Sequence, residues 1–91
     1  MKYEVVPSNQ FKKDVKIAKK RGCDLEDVRK VIKILAEGKT LVEKYRDHLL
    51  TGDYAGFREC HVSPDWLLVY RIEKKELRLF LFRTGTHSDL F

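Results

Sequence analysis

Two runs near the C-terminus constrain the fold most: WLLVYRI (66–72) and ELRLFLF (76–82). The first is almost wholly apolar, as a central strand requires, and the second is similar. Glu73-Lys74-Lys75-Glu76 between them has the charge and polarity of a hairpin turn. A chain that buries such a hairpin must supply at least one further layer to cover it.

The remaining segments supply that layer. FRECHV (57–62) is half apolar and reads as a third strand, followed by a turn at Pro64-Asp65 of type I character. KYEVV (2–6) is short and β-prone; Pro7 ends it and Ser8 is placed to cap a helix. From Asn9 to Arg21, Phe11, Val15 and Ala18 form one apolar stripe, and Lys12, Lys13, Lys16, Lys19, Lys20 and Arg21 cover most of the rest. Gly22 suits the position after the helix end. Asp24 starts a second helix, with Leu25, Val28, Val31, Ile32 and Leu35 as its stripe and Gly38 at its close. The short link makes the two helices an antiparallel hairpin. Residues 39–53 are less regular, with Tyr45 and Leu49 as anchors and a turn at Thr51-Gly52-Asp53. The expected fold is α+β in the order β-α-α-β-β-β, a helical hairpin on a small, mostly antiparallel sheet, in one domain spanning 1–91.

The net charge of +5 is unevenly placed. Residues 1–45 carry 12 Lys/Arg against 7 Asp/Glu, and residues 46–91 carry 7 against 7. The basic surplus lies on the helices and suits a polyanion or an acidic protein; it also suits a merely solvated face. No apolar run reaches the ~20 residues of a membrane helix, and the N-terminus lacks the apolar core of a signal peptide. A soluble cytoplasmic protein is expected. Cys23 and Cys60 are too few for a disulfide framework and read as reduced, buried residues.

All three histidines, His48, His61 and His87, lie in the second half. His61 and Asp65 flank the Pro64 turn at adjoining strand ends. Two strand reversals later the chain runs the same way, so Arg83 and His87 reach that end of the sheet too, and His48 can fold back to it. Such a group has the parts for metal-free RNA cleavage: a base for the 2′-hydroxyl proton, an acid for the leaving 5′-oxygen and positive charge for the phosphate. Histidine titrates near neutral pH and suits the first two roles; arginine suits the third. Trp66 and Phe91 can stack on unpaired bases. Plainer roles exist for each: Asp65 as a turn former, Trp66 as a core anchor, Arg83 as a partner of Asp89, Phe91 as a tether for the chain end. His48, His61, His87, Asp65 and Cys60 include metal-ligand types, but their spacing matches no zinc pattern, and Cys60 and His61 point to opposite faces of one strand. Neither a metal nor another cofactor is expected.

Three segments carry a resemblance: FKKDVKIAKKRG (11–22), DHLLTGDYAGFRECHVSPDWLLVYRI (47–72) and RTGTHSDLF (83–91). The order and spacing of DH, G-x-R-x-x-H-x-x-PDW and RTGTHS-x-LF resemble the YafQ-type branch of the RelE/ParE toxin superfamily over nearly the whole chain. The resemblance implies a RelE/ParE-like fold and a ribosome-dependent mRNA endonuclease that acts in the A site. It implies a cognate antitoxin as partner, with operator DNA bound only through that antitoxin. The implied functional positions are His48, His61, Asp65, His87 and Phe91, supported by Trp66 and Arg83; Arg58 also matches, as a phosphate holder or a strand brace.

On this reading His87 is the general acid, and either His48 or Asp65 is the base. His61 positions the attacking group or stabilises charge, and Arg83 holds the scissile phosphate. Lys12, Lys13, Lys16, Lys19 and Lys20, with the lysines of the second helix, meet ribosomal RNA. The alternative is a protein of the same fold without nuclease activity, such as a gyrase inhibitor or a ribosome blocker; a plain RNA-binding module is a third option.

Overall fold

The computed structural model describes residues 2–91. Strand β1 (Glu4–Pro7) leads into helices α1 (Asn9–Lys20) and α2 (Glu26–Ala36). After an irregular stretch come β2 (His48–Leu49), β3 (Arg58–Ser63), β4 (Trp66–Glu73), β5 (Arg78–Gly85) and a short terminal helix, α3 (His87–Leu90). The five strands form one sheet in the order β1-β5-β4-β3-β2. Only the β1–β5 pair is parallel; the other three pairs are antiparallel.

Local chemistry sets the boundaries. The Ser8 hydroxyl accepts from the Phe11 amide and donates to the Phe82 carbonyl, so one residue starts α1 and ties it to β5. Gly22, at φ +77°, takes the left-handed turn out of α1, where a side chain would be strained. The Asp24 carboxylate accepts from the Glu26 amide at the start of α2.

The helical hairpin packs on one face of the sheet. Phe11, Val28, Val31 and Leu35 meet Cys60, Leu68, Tyr70, Leu79 and Leu81 there. A smaller cluster lies on the other face, where Leu67, Val69 and Leu90 pack with Leu50, Phe57 and Phe82. Cover on both sides explains why β4 is apolar at alternate and intervening positions alike. Each fully buried leucine contributes roughly 1.5–3 kcal/mol. The larger cluster therefore dominates stability, and the smaller one fixes what lies over the second face.

Several expectations are corrected. The stretch 39–53 contains a two-residue strand, β2, between 3-10 turns at Glu43–Tyr45 and Gly52–Tyr54. Two residues carry too little periodicity to stand out. Strand β5 continues past 82 to Gly85, so Arg83 lies within it. The tail, to which the sequence assigns no element, forms α3. Asp14 is also buried within the α1 stripe, and Cys23 is only partly buried.

Candidate active site

Register places the first two histidines. His48 pairs with Glu59 across β2 and β3, and His61 pairs with Leu67 across β3 and β4. Residues 59 and 61 are two apart on one strand and so share a face, the one turned away from α1 and α2. The register shifts between His61 and Ser63, and Ser63 then pairs with Trp66 around the Pro64-Asp65 turn. Strand alternation keeps Cys60 and Val62 in the main core and leaves His61 on the opposite face.

His48 is held from two sides. Its Nδ1 donates to the Arg46 carbonyl at 2.7 Å. A carbonyl oxygen only accepts, so Nδ1 carries the hydrogen and the neutral ring keeps its lone pair on Nε2. The Glu59 carboxylate lies 3.5 Å from that nitrogen. Arg46 has φ +50°, a left-handed conformation unfavourable by roughly 1–2 kcal/mol for a residue with a Cβ. The strained residue is the one that supplies the carbonyl to the ring.

His87 arrives by another route. A reciprocal capping box starts α3: the Thr86 hydroxyl accepts from the Asp89 amide, and the Asp89 carboxylate accepts from the Thr86 amide. Leu90 anchors the helix on Leu67 and Val69. Gly85 permits the close return, since a Cβ there would lie 3.1 Å from Asp89 Cβ. Arg21 donates to Asp89 at 2.9 Å. That hydrogen bond, then the Thr86 amide, hold the Asp89 carboxyl at about 2, below its ordinary 3.8. A lowered carboxylate pKa stabilises above about 3.8, and that stabilisation is lost as pH falls through about 2. We therefore expect the amides of Leu90 and Phe91 to lose hydrogen-exchange protection as pH falls from about 3.8 through about 2. Unchanged protection across that interval would refute a role for this pair in holding α3.

His48, Glu59, His61, Asp65, Thr86 and His87 line one open cleft of about 660 Å³. The chain thus brings together all four residues expected to be catalytic, drawn from β2, β3, the β3–β4 turn and α3. Phe91 adjoins it: its ring lies 5.4 Å from the His87 ring and 5.2 Å from that of Tyr54.

The other expected residues stand apart. Both Arg83 Nε and Nη2 donate to Asp14, at 3.1 and 3.0 Å, and Asp89 pairs with Arg21 instead. Trp66 Nε1 donates to the Thr84 hydroxyl at 2.8 Å, which itself donates to the Leu67 carbonyl. Arg83 and Trp66 line a separate depression of about 140 Å³. Arg58 is bound by Asp47, which also accepts from the Tyr70 hydroxyl. Arg83, Trp66 and Arg58 thus engage Asp14, Thr84 and Asp47 and do not line the cleft. The lysines of α1 (Lys12, Lys13, Lys16, Lys19 and Lys20) are exposed, on the layer opposite the cleft.

Among the described residues, no three His, Cys, Asp or Glu side chains converge to hold a metal ion. Cys60 lies in the helix-facing core, where burial, then Asp47 and Glu59, push its thiol up to about 12. No helix of the described residues is long and apolar enough to cross a membrane. Glu59 and Arg46 were not anticipated. The two-residue offset of Glu59 from His61 is the signal that would have found the first; a backbone carbonyl leaves none.

The fold, a helical hairpin on one face of a five-stranded sheet, is that of small toxins from type II toxin–antitoxin systems. The family described as "Bacterial toxin of type II toxin-antitoxin system, YafQ" matches residues 3–91. The mRNA interferase toxin YafQ of Escherichia coli K12 is 42% identical over 85 residues, covering 92% of this chain and 90% of that protein. A metal-bound toxin from Helicobacter pylori superposes with a TM-score of 0.90 at 49% identity, covering 98% and 99% of the two chains. YafQ in the Escherichia coli DinJ–YafQ toxin–antitoxin complex superposes at 0.87, with 37% identity over 100% and 99%. The chain belongs to the YafQ toxin family.

Proposed function

We propose that this toxin is an mRNA interferase that cleaves ribosome-bound mRNA in the A site by general acid–base chemistry. One observation carries the reading: three histidines and two carboxylates from four separate segments line a single cleft. His48 is the base, because its Nδ1 hydrogen is engaged by Arg46 and its Nε2 lone pair is available for the 2′-hydroxyl proton. Glu59 is placed to receive the hydrogen bond of that proton once it has moved. The 2′-oxygen attacks the phosphorus, and the 5′-oxygen leaves with a proton from His87. Products are a 2′,3′-cyclic phosphate and a 5′-hydroxyl. His61 and Asp65 orient the attacking nucleotide, and Phe91 stacks beside His87. Arg83, Trp66 and Arg58 act by holding the sheet and helices that place these groups.

The ribosome presents the substrate, so the small cleft need not orient it alone; positioning is worth roughly 7–11 kcal/mol in such reactions. The lysines of α1 dock on ribosomal RNA, and activity on free RNA is weak. Such a target puts the protein in the cytoplasm. Its inactive state is the complex with a cognate antitoxin, as in the DinJ–YafQ complex. The test is to map new 5′-hydroxyl ends on ribosome-bound mRNA with wild type and the three single histidine replacements. Stalled ribosomes carrying intact mRNA would refute the nuclease and leave a blocker.

A further inference from the structure

A second hollow, of about 590 Å³, lies against the cleft and shares His61 with it. Its other walls include Lys30 of α2 and Lys44, Tyr45 and Arg46 from the turn before β2. Lys30, Lys44 and Arg46 are exposed, and none has a carboxylate partner among the described residues. Asp27 is the one acidic side chain in the wall, so three cations face one anion. This hollow is distinct from the lysine-covered surface of α1. It adjoins the reacting groups themselves, and Arg46 connects the two: its carbonyl holds His48 while its side chain lines the hollow.

Resting on the nuclease reading above, we infer that this hollow is a substrate subsite. It takes the phosphate of the mRNA nucleotide adjoining the scissile one, through Lys30, Lys44 and Arg46. An RNA strand lying in the cleft can continue past His61 into the hollow, since the two share that residue. Free cations there hold the strand without contacting the phosphate that reacts. Hydrogen bonds to charged groups are worth enough that losing such a set slows cleavage by roughly tenfold or more.

The test pairs a variant with altered mRNAs. The variant is Lys30→Gln/Lys44→Gln/Arg46→Gln, which changes exposed side chains and retains the Arg46 carbonyl. The mRNAs carry a methylphosphonate, which lacks the charge, at the linkage on either side of the cut. Wild type is expected to cut one of them roughly tenfold more slowly than normal mRNA, and the variant to cut it no more slowly than it cuts normal mRNA. Equal slowing of wild type and variant, or none in either, overturns the subsite. A second readout is independent of catalysis: titration of the free toxin with a 2′-O-methylated trinucleotide, which cannot be cut. Amide shifts at Lys44, Tyr45 and Arg46, lost in the variant, support the subsite even if normal mRNA is never cleaved and the nuclease reading falls. Shifts confined to His61 and His87 overturn it, and a variant that cuts normally but binds fewer ribosomes assigns these cations to ribosomal RNA instead.

Discussion

His87→Ala should slow cleavage of ribosome-bound mRNA by ~10²–10⁴-fold, the usual contribution of a positioned proton donor. Little else should change. His87 is exposed, and the elements that hold α3 are Thr86, Asp89 and Leu90, all retained in the variant. Single-turnover cleavage on a fixed ribosome complex isolates the chemical step from docking. The acid role has a sharper check than rate alone. An mRNA with sulfur in place of the bridging 5′-oxygen has a leaving group that needs no proton. His87→Ala should cut that substrate at close to the wild-type rate, whereas His48→Ala should stay slow on both. Wild-type rates for His87→Ala on normal mRNA would remove the assignment. So would failure of the sulfur substrate to recover it.

Periodicity made the large elements legible in the sequence. The apolar 66–72 run is β4, the lysine-rich segment after Ser8 is α1, and the turn at Pro64-Asp65 is where its residues place it. The meeting of His61, Asp65 and His87 followed from counting strand reversals, which needs only element order. What escaped was decided by contacts between distant residues. Strand β2 exists because His48 and Leu49 find partners on β3, and two residues have no period to read. Helix α3 is a single turn stabilised by its capping box and by Leu90 against Leu67 and Val69. Arg83 was expected at the phosphate because it follows an apolar strand and precedes His87. In the structure it pairs with a residue 69 positions earlier, an aspartate in the midst of an apolar stripe. Nothing local to Asp14 distinguishes an acid that faces water from one buried against an arginine. A buried acid needs a cation, however, and of the two arginines of β5 Arg78 pairs with Glu73 while Arg83 meets Asp14.

That pair sets the largest expected effect on stability. Asp14 is 6% exposed and accepts from four donors: Gln10 Nε2, Arg83 Nε, Arg83 Nη2 and the Thr84 amide. Asp14→Ala removes every acceptor at once, leaving the guanidinium partly buried without its counter-charge and the Thr84 amide without a partner. Breaking a buried pair from one side is unfavourable by about 3–5 kcal/mol, and the 24% exposure of the Arg83 side chain puts this case near the lower figure. About 3 kcal/mol corresponds to a fall in melting temperature of roughly 12–24 °C for a chain of this size. Urea unfolding of Asp14→Ala, Arg83→Ala and the double variant measures it. The double variant should be less destabilised than the two losses added, because it leaves no unpaired charge. A loss below about 1 kcal/mol for Asp14→Ala would mean that water replaces the carboxylate freely, a surface-pair outcome. The same set separates framework from chemistry. If Arg83 acts only by holding α1 to β5, Arg83→Ala and Asp14→Ala should lose cleavage in step with stability, and a temperature at which both remain folded should restore it. If Arg83→Ala stays inactive where Asp14→Ala is active, the guanidinium must leave Asp14 on the ribosome and meet the RNA itself.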